Sequence, residues 1–174
     1  MTPHQVSIIQ NLKEPHRQQL SNLAGGLPGI NQTLQVMRSL VNRYKINPKV
    51  RELALSVIAN LPQKDFENEI NKLFEFVKYR IRYVRDIAGV ETVQTPVKTL
   101  QYAAGDCDDK AVLLATLLES IGHVTRFHAV GFKPDHISHV LLEVKRGGEW
   151  IALDTTEPVK MGWRPPSIVT SMYG

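Results

Sequence analysis

The 174-residue sequence contains one cysteine, Cys107. A single thiol excludes an internal disulfide and any zinc knuckle built from several cysteines. Long apolar runs are also missing. Stretches such as Ala111-Val112-Leu113-Leu114-Ala115 fall far short of the ~18–20 residues that cross a bilayer, so no membrane partner is expected. The opening Met1-Thr2-Pro3-His4-Gln5 lacks a basic segment followed by an apolar one, so no secretory signal is visible. There is no P-loop, no dinucleotide glycine fingerprint and no aromatic-rich nucleic-acid motif. No internal repeat or low-complexity run occurs. The expectation is a soluble protein of a reducing, cytoplasmic compartment.

What is present is ordinary for a globular chain: 43% hydrophobic and 22% charged residues. The length fits one compact unit with room for a short appendage. The net charge of +4 is unevenly spread: residues 1–90 carry 13 basic and 7 acidic side chains, residues 91–174 carry 8 and 10. A basic front therefore precedes a mildly acidic back. Lys78, Arg80, Arg82 and Arg85 form a local basic cluster, either a solvated helix end or a contact for phosphate or an acidic partner.

The front half reads helical. Val6, Ile8, Ile9 and Leu12 suit a short amphipathic helix stopped near Pro15. Gly25-Gly26-Leu27-Pro28-Gly29 reads as a hinge or tight loop, after which Asn31 caps a helix carrying Leu34, Met37, Leu40, Val41 and Tyr44. Asn47-Pro48 breaks it, and residues 50–61 form the next helix, ended by Pro62. Asp65 caps one more, with Phe66, Ile70, Leu73, Phe74 and Val77 on one buried face. Residues 81–100, with Thr95-Pro96, read as an extended connection. A helix over 107–121 follows, apolar on nearly every side from Ala111 to Leu118, with Gly122 beyond its end. Strands are expected near 124–132, 138–145 and 149–154. Residues 158–174 read as a tail that packs along a surface or stays mobile. Helices followed by a strand meander indicate an α+β fold.

The last two strands can be placed in register. Lys145-Arg146-Gly147-Gly148 signals a hairpin, and a turn centred between Arg146 and Gly147 sets Glu143 opposite Trp150, Leu141 opposite Ala152 and His139 opposite Asp154. Opposed residues share a face with Cβ atoms ~5 Å apart. The hairpin alone thus brings a histidine beside an aspartate.

Gly105-Asp106-Cys107-Asp108-Asp109-Lys110 stands where a loop becomes the buried helix. A thiol in the first helical turn feels unpaired N–H groups and the positive dipole end, which favour thiolate. Three neighbouring acids oppose that. A histidine able to take the thiol proton, oriented by an aspartate, would complete a nucleophilic site. Cys107, His139 and Asp154 are the candidate triad. His136-Ile137-Ser138-His139 has zinc-ligand spacing, yet residues three apart on a strand face opposite ways.

Gly105-Asp106-Cys107-x-Asp109-Lys110-Ala111, the apolar helix ending Leu118-Glu119-Ser120-Ile121-Gly122, His139-x-x-x-Glu143-Val144, Trp150 and Leu153-Asp154-Thr155-Thr156 together resemble the transglutaminase-like superfamily, with similar upstream segments at Ile81-Arg82-Tyr83 and Gln94-Thr95-Pro96. The likeness spans about residues 66–157 and extends to bacterial and phage members. It implies a papain-like core in which a central buried helix carries the cysteine and packs on an antiparallel sheet, preceded by an N-terminal helical region. The corresponding division is 1–62 helical extension, 63–157 core and 158–174 tail. It also implies Cys107 as nucleophile, His139 as general base and acid, Asp154 as orienting carboxylate, a protein or peptide substrate, and no cofactor or metal. Where the family often has His-Ala-Trp, this chain has His139-Val140-Leu141. Gln101, six residues before the cysteine, matches a papain-like oxyanion donor, and Tyr83 is the other candidate. An acyl-transfer enzyme, either an amide hydrolase or a transglutaminase-type crosslinker, is the first expectation. Small proteins of this kind also resemble ones in phage structural gene clusters. That likeness implies an alternative: a virion assembly component (head or tail connector region) docking phage structural proteins through its N-terminal helices.

Overall fold

Capping side chains set where most helices of this chain begin. The computed structural model describes residues 1–13, 26–85 and 93–174. Helix α1 (Pro3–Gln10) starts from a capping box between Thr2 and Gln5. After α2 (Gly26–Tyr44), Asn47 caps α3 (Pro48–Ile58) and Asp65 caps α4 (Phe66–Arg80). Thr95 caps α5 (Pro96–Tyr102), and Asp106 caps α6 (Cys107–Ser120). Each cap oxygen accepts an N–H that has no acceptor inside the helix.

Two strand groups join them. β1 (Arg82–Tyr83) and β2 (Ala104–Gly105) form a short parallel pair. β3 (Thr125–Gly131), β4 (His139–Arg146), β5 (Glu149–Leu153) and β6 (Thr170–Tyr173) form an antiparallel sheet in the order β5-β4-β3-β6. Alternation divides its two faces. Phe127, Ala129, Leu142, Val144 and Leu153 join the helical core, while Val130, Leu141 and Ala152 meet Ile168 on the far side. Every residue of α6 from Asp109 to Leu118 is buried, and Ile8, Leu40, Leu53 and Leu73 of the first four helices share its core. The α+β arrangement with a central buried helix is as expected.

Several local expectations are corrected. α2 begins at Gly26, not at a cap on Asn31. Pro28 falls in the first turn, where its missing N–H costs nothing, and Gly26 takes a positive φ of +68°. Pro15 and Gly25 lie outside the described residues, and α1 ends earlier, at Gln10. The third helix of the front half stops at Ile58, short of Pro62. Phe66 is exposed, edge-on to His123, so the buried face of α4 starts at Ile70. Thr95-Pro96 opens a helix where an extended connection was expected: the same dipeptide that breaks a strand supplies a cap and a first-turn proline.

The tail is corrected as well. Its last residues pair with β3, with Phe127 N donating to Gly174 O at 2.8 Å and Gly174 N to Phe127 O at 3.1 Å. The hairpin turn is Gly147-Gly148, with φ of +57° and +91°, a two-residue turn that glycine accommodates. Glu143 accordingly pairs with Ala152 and Leu142 with Leu153, so partners differ from the expected ones by two residues and keep the same face.

The far face of the sheet is pinned by Glu143, which is fully buried. Arg126 Nε donates to its Oε2 at 2.7 Å, Arg164 Nη1 donates to Oε1, and His128 Nδ1 lies 3.2 Å from Oε1. Arg126 is itself sandwiched between Trp150 and Tyr173, 4.2 Å from each ring centre. Burial alone would raise the Glu143 carboxyl, but His128, Arg164 and Arg126 pull it down to about 2 from 4.5. The unfolded chain therefore takes up a proton near pH 4.5 that the native state refuses until about pH 2. Stability contributed by Glu143 is complete above pH 4.5 and is lost as pH falls toward 2. Urea titrations should show Glu143→Ala destabilised by about 2 kcal/mol at neutral pH, below the ~3–5 of a fully buried pair because both arginines keep solvent access. The variant's stability should also fall less steeply over that acid range; equal slopes would contradict the assignment.

Candidate active site

The start of α6 is locked before any chemistry is considered. Asp109 N donates to Asp106 Oδ1 at 3.1 Å, and Asp106 N donates back to Asp109 Oδ2 at 3.2 Å. Buried Asp109 also accepts from Gln94 N at 2.7 Å and Gln94 Nε2 at 2.5 Å, which ties the approach to α5 to the helix that carries Cys107. Gly105 is required here, because a Cβ on it would lie 2.6 Å from Asp109 Cβ. Arg82 N donates to Ala103 O at 2.8 Å and Val84 N to Gly105 O at 3.0 Å, bringing Tyr83 and Arg85 alongside the cysteine.

His139 opens β4 and Asp154 follows β5. The corrected register sets them diagonally across the hairpin, and His139 Nε2 lies 2.8 Å from Asp154 Oδ2. Asp154 is almost wholly buried. Its Oδ1 accepts from Thr156 Oγ1 at 2.7 Å, Thr156 N at 2.9 Å and Glu157 N at 3.3 Å. Burial opposes ionisation of this carboxyl, but His139 and Thr156 outweigh it and hold Asp154 below the usual range. An ionised Asp154 keeps the proton on Nε2 and leaves Nδ1 as the acceptor.

Cys107 and His139 line one cavity of about 230 Å³, together with Ile30 and Leu34 of α2. The backbone N–H of Val140, the residue after His139, favours the ionised form of the sulfur. In the resting arrangement the thiol donates to Asp108 Oδ1 at 3.4 Å, and no hydrogen bond joins it to His139. Burial pushes the thiol above its ordinary range, and Asp108 and Asp106 push it further. The helix N-terminus alone does not produce a thiolate here, contrary to what its dipole suggests.

The two oxyanion candidates separate. Tyr83 lines the cavity; burial and the neighbouring Cys107 raise its phenol against the opposing pull of Arg85. Gln101 is turned the other way, on the exposed side of α5, where Nε2 donates to Leu12 O at 3.0 Å and holds the end of α1. His136 is exposed, and among the described residues no group of three His, Cys, Asp or Glu side chains could hold a metal ion. One neighbour was missed. Lys110 is 2% exposed, and its Nζ donates to Ile81 O at 2.8 Å and Lys78 O at 3.4 Å, capping the end of α4. Burial lowers its ammonium to about 8 against the pull of Asp154. A lysine directly preceding the apolar run from Ala111 was the available signal.

A family model of the transglutaminase-like superfamily matches residues 51–155. No curated protein matches the chain in sequence. Among solved structures, a candidate cysteine protease from Cytophaga hutchinsonii superposes with a TM-score of 0.57 at 22% identity, covering 80% of this chain and 47% of that one. A candidate protease from Parabacteroides distasonis gives 0.59 at 13%, covering 82% and 31%. LapG of Legionella pneumophila gives 0.53 at 22%, covering 80% and 83%. The chain thus spans about half or less of the length of the first two, and these likenesses bear on the fold. With the family model covering more than half of its residues, the chain belongs to the transglutaminase-like superfamily.

Proposed function

We propose that this chain is a cysteine-nucleophile acyl-transfer enzyme acting on an amide of a protein or peptide, with Cys107, His139 and Asp154 as its triad. The observation that carries the reading is the 2.8 Å His139–Asp154 pair opening on the same cavity as Cys107. His139 Nδ1 takes the S–H proton, and sulfur attacks the carbonyl carbon. The C–S bond forms while the carbonyl π electrons move to oxygen. His139 then protonates the departing nitrogen, the C–N bond breaks and an acyl thioester remains. Water resolves it in a hydrolase, a second amine in a crosslinking enzyme. Hydrolysis is the reading adopted, in line with the protease descriptions of the similar solved structures.

The Cys107 N–H, in the first turn of α6, has no acceptor inside the helix and supports one arm of an oxyanion hole. Tyr83 is the side-chain donor that the cavity offers. Because the resting thiol is neutral, the proton transfer to His139 belongs to the reaction and not to the ground state. The similar solved structure described as a candidate cysteine protease supports this class of chemistry.

Two measurements test the reading. A thiol-directed peptidyl vinyl sulfone should label wild-type protein at Cys107, read by mass spectrometry. His139→Ala should abolish labelling, and Asp154→Asn should slow it by roughly 10²–10⁴. Labelling as fast in His139→Ala as in wild type would overturn the proposal and favour an assembly role. Alkylation of Cys107 by iodoacetamide should be slower in the folded protein than in urea at pH 8. Asp108→Asn should accelerate it roughly tenfold, the effect of one unit in thiol pKa, by removing the carboxylate that holds the proton and repels the thiolate.

A further inference from the structure

Most basic side chains close to an acid have found one. Arg38 and Lys45 meet Glu119, Arg126 and Arg164 meet Glu143, Arg146 meets Glu67, and Lys49 meets Glu52. The segment from the end of α4 into the cavity wall differs. Arg80, Arg82 and Arg85 are all exposed, and among the described residues none forms an ion pair with an acidic side chain. Between and beside them stand three exposed aromatic side chains: Tyr79 at 73%, Tyr83 at 45% and Tyr102 at 62%. Three guanidiniums within six residues, with no acidic partner among the described residues, repel one another, and large exposed rings are costly to hydrate, so a strip that keeps both is poised for a complement.

Its placement says which complement. β1 uses the amides of Arg82 and Val84 to pair with residues 103–105, while Tyr83 and Arg85 line the cavity that contains Cys107. At about 3.3 Å per residue, residues 81–85 advance by up to roughly 13 Å, the reach of about four residues of extended peptide. We propose that the Arg80–Arg85 strip docks an acidic segment of the polypeptide substrate, lying about two to five residues from the amide held at Cys107. This deepens, and rests on, the acyl-transfer reading. The substrate is asymmetric: Asp106 and Asp108 line the cavity beside Cys107 and disfavour a carboxylate at the reacting residue, whereas the arginines draw carboxylates farther along the chain. The same two aspartates disfavour the phosphate backbone of a nucleic acid that would run from the strip into the cavity.

The test uses the full chain carrying Cys107→Ala, so that binding is read without turnover. Fluorescence anisotropy is measured with labelled peptides having a neutral centre and glutamate flanks on one side, on the other, or on both, and with lysine-flanked counterparts. One glutamate polarity should bind roughly tenfold more tightly than the lysine peptides. The advantage should fade at about 1 M salt, where the screening length is roughly 3 Å. It should also vanish in Arg80→Glu/Arg82→Glu, whose substitutions are on the surface and whose thermal unfolding should match the parent's. Equal binding of acidic and basic peptides, or an acidic preference that survives the charge reversal, overturns the docking strip. So does a single-stranded oligonucleotide that binds as tightly as the best peptide. Labelling of Cys107 without any acidic preference would sink the strip and leave the acyl-transfer reading standing; acidic-peptide binding in a chain whose Cys107 fails the vinyl sulfone test would sink only the latter.

Discussion

The buried carboxylate of Asp109 is the interaction on which the rest of the site depends. It closes the capping box with Asp106, gathers two donors from Gln94 and leaves no room for a side chain on Gly105. Three segments that are distant in sequence thus converge on one side chain: the approach to α5, the β2 backbone and the first turn of α6. A buried charge is tolerated only when donors saturate it, and Asp109 has them. The apolar body of α6, enclosed by helices on one side and the sheet on the other, turns that local lock into a fixed position for Cys107.

The same solution creates an electrostatic conflict. Acids at the helix start complement its dipole and cap its amides, yet they raise the energy of a thiolate beside them. Cys107 pays for a well-fixed helix start with a proton held tightly by burial, Asp108 and Asp106. In the proposed reaction, activation of Cys107 therefore falls to the other wall of the cavity, where Asp154 holds His139. Thr156 matters for the same reason: by occupying Asp154 Oδ1 it leaves Oδ2 to the imidazole. Cys107 and His139 are supplied by separate structural systems, the helix start and the hairpin, and they meet at the cavity.

Sequence patterns carried the parts of this arrangement that are governed by local rules. Asp65 and Asp106 identify helix starts, the apolar run from Ala111 to Leu118 identifies the central helix, and the lone cysteine at its start identifies the candidate nucleophile. Signals that serve two structures were misread. Thr95-Pro96 punctuates an extended chain and equally begins a helix, and only packing against α6 decides between them. β6 has too little alternation to announce itself, because an edge strand shows one side to solvent and draws its register from a partner some forty residues away. Gln101 had the right spacing from Cys107 but not the right direction. Spacing along a chain says nothing of which way a short helix turns its side chains once it docks. Lys110 lay in plain view within the motif, but its role depends on where α4 ends, a tertiary fact.

The hairpin shows why a site can be legible even when a register is not. Moving the turn from Arg146-Gly147 to Gly147-Gly148 shifts every cross-strand partner by two residues. Side-chain direction in a strand repeats every two residues, so such a shift preserves faces while changing neighbours. His139 and Asp154 become diagonal instead of opposed, and an imidazole spans that extra distance to reach 2.8 Å. A shift of one residue would have turned one strand over relative to the other and left His139 and Asp154 on opposite faces of the sheet. What the sequence has to specify at this site is therefore parity, which the alternation of Val140, Leu142 and Val144 toward the core enforces over the whole of β4. Exact opposition is left to the turn, and the chemistry tolerates the difference because the side chains are long enough to absorb it.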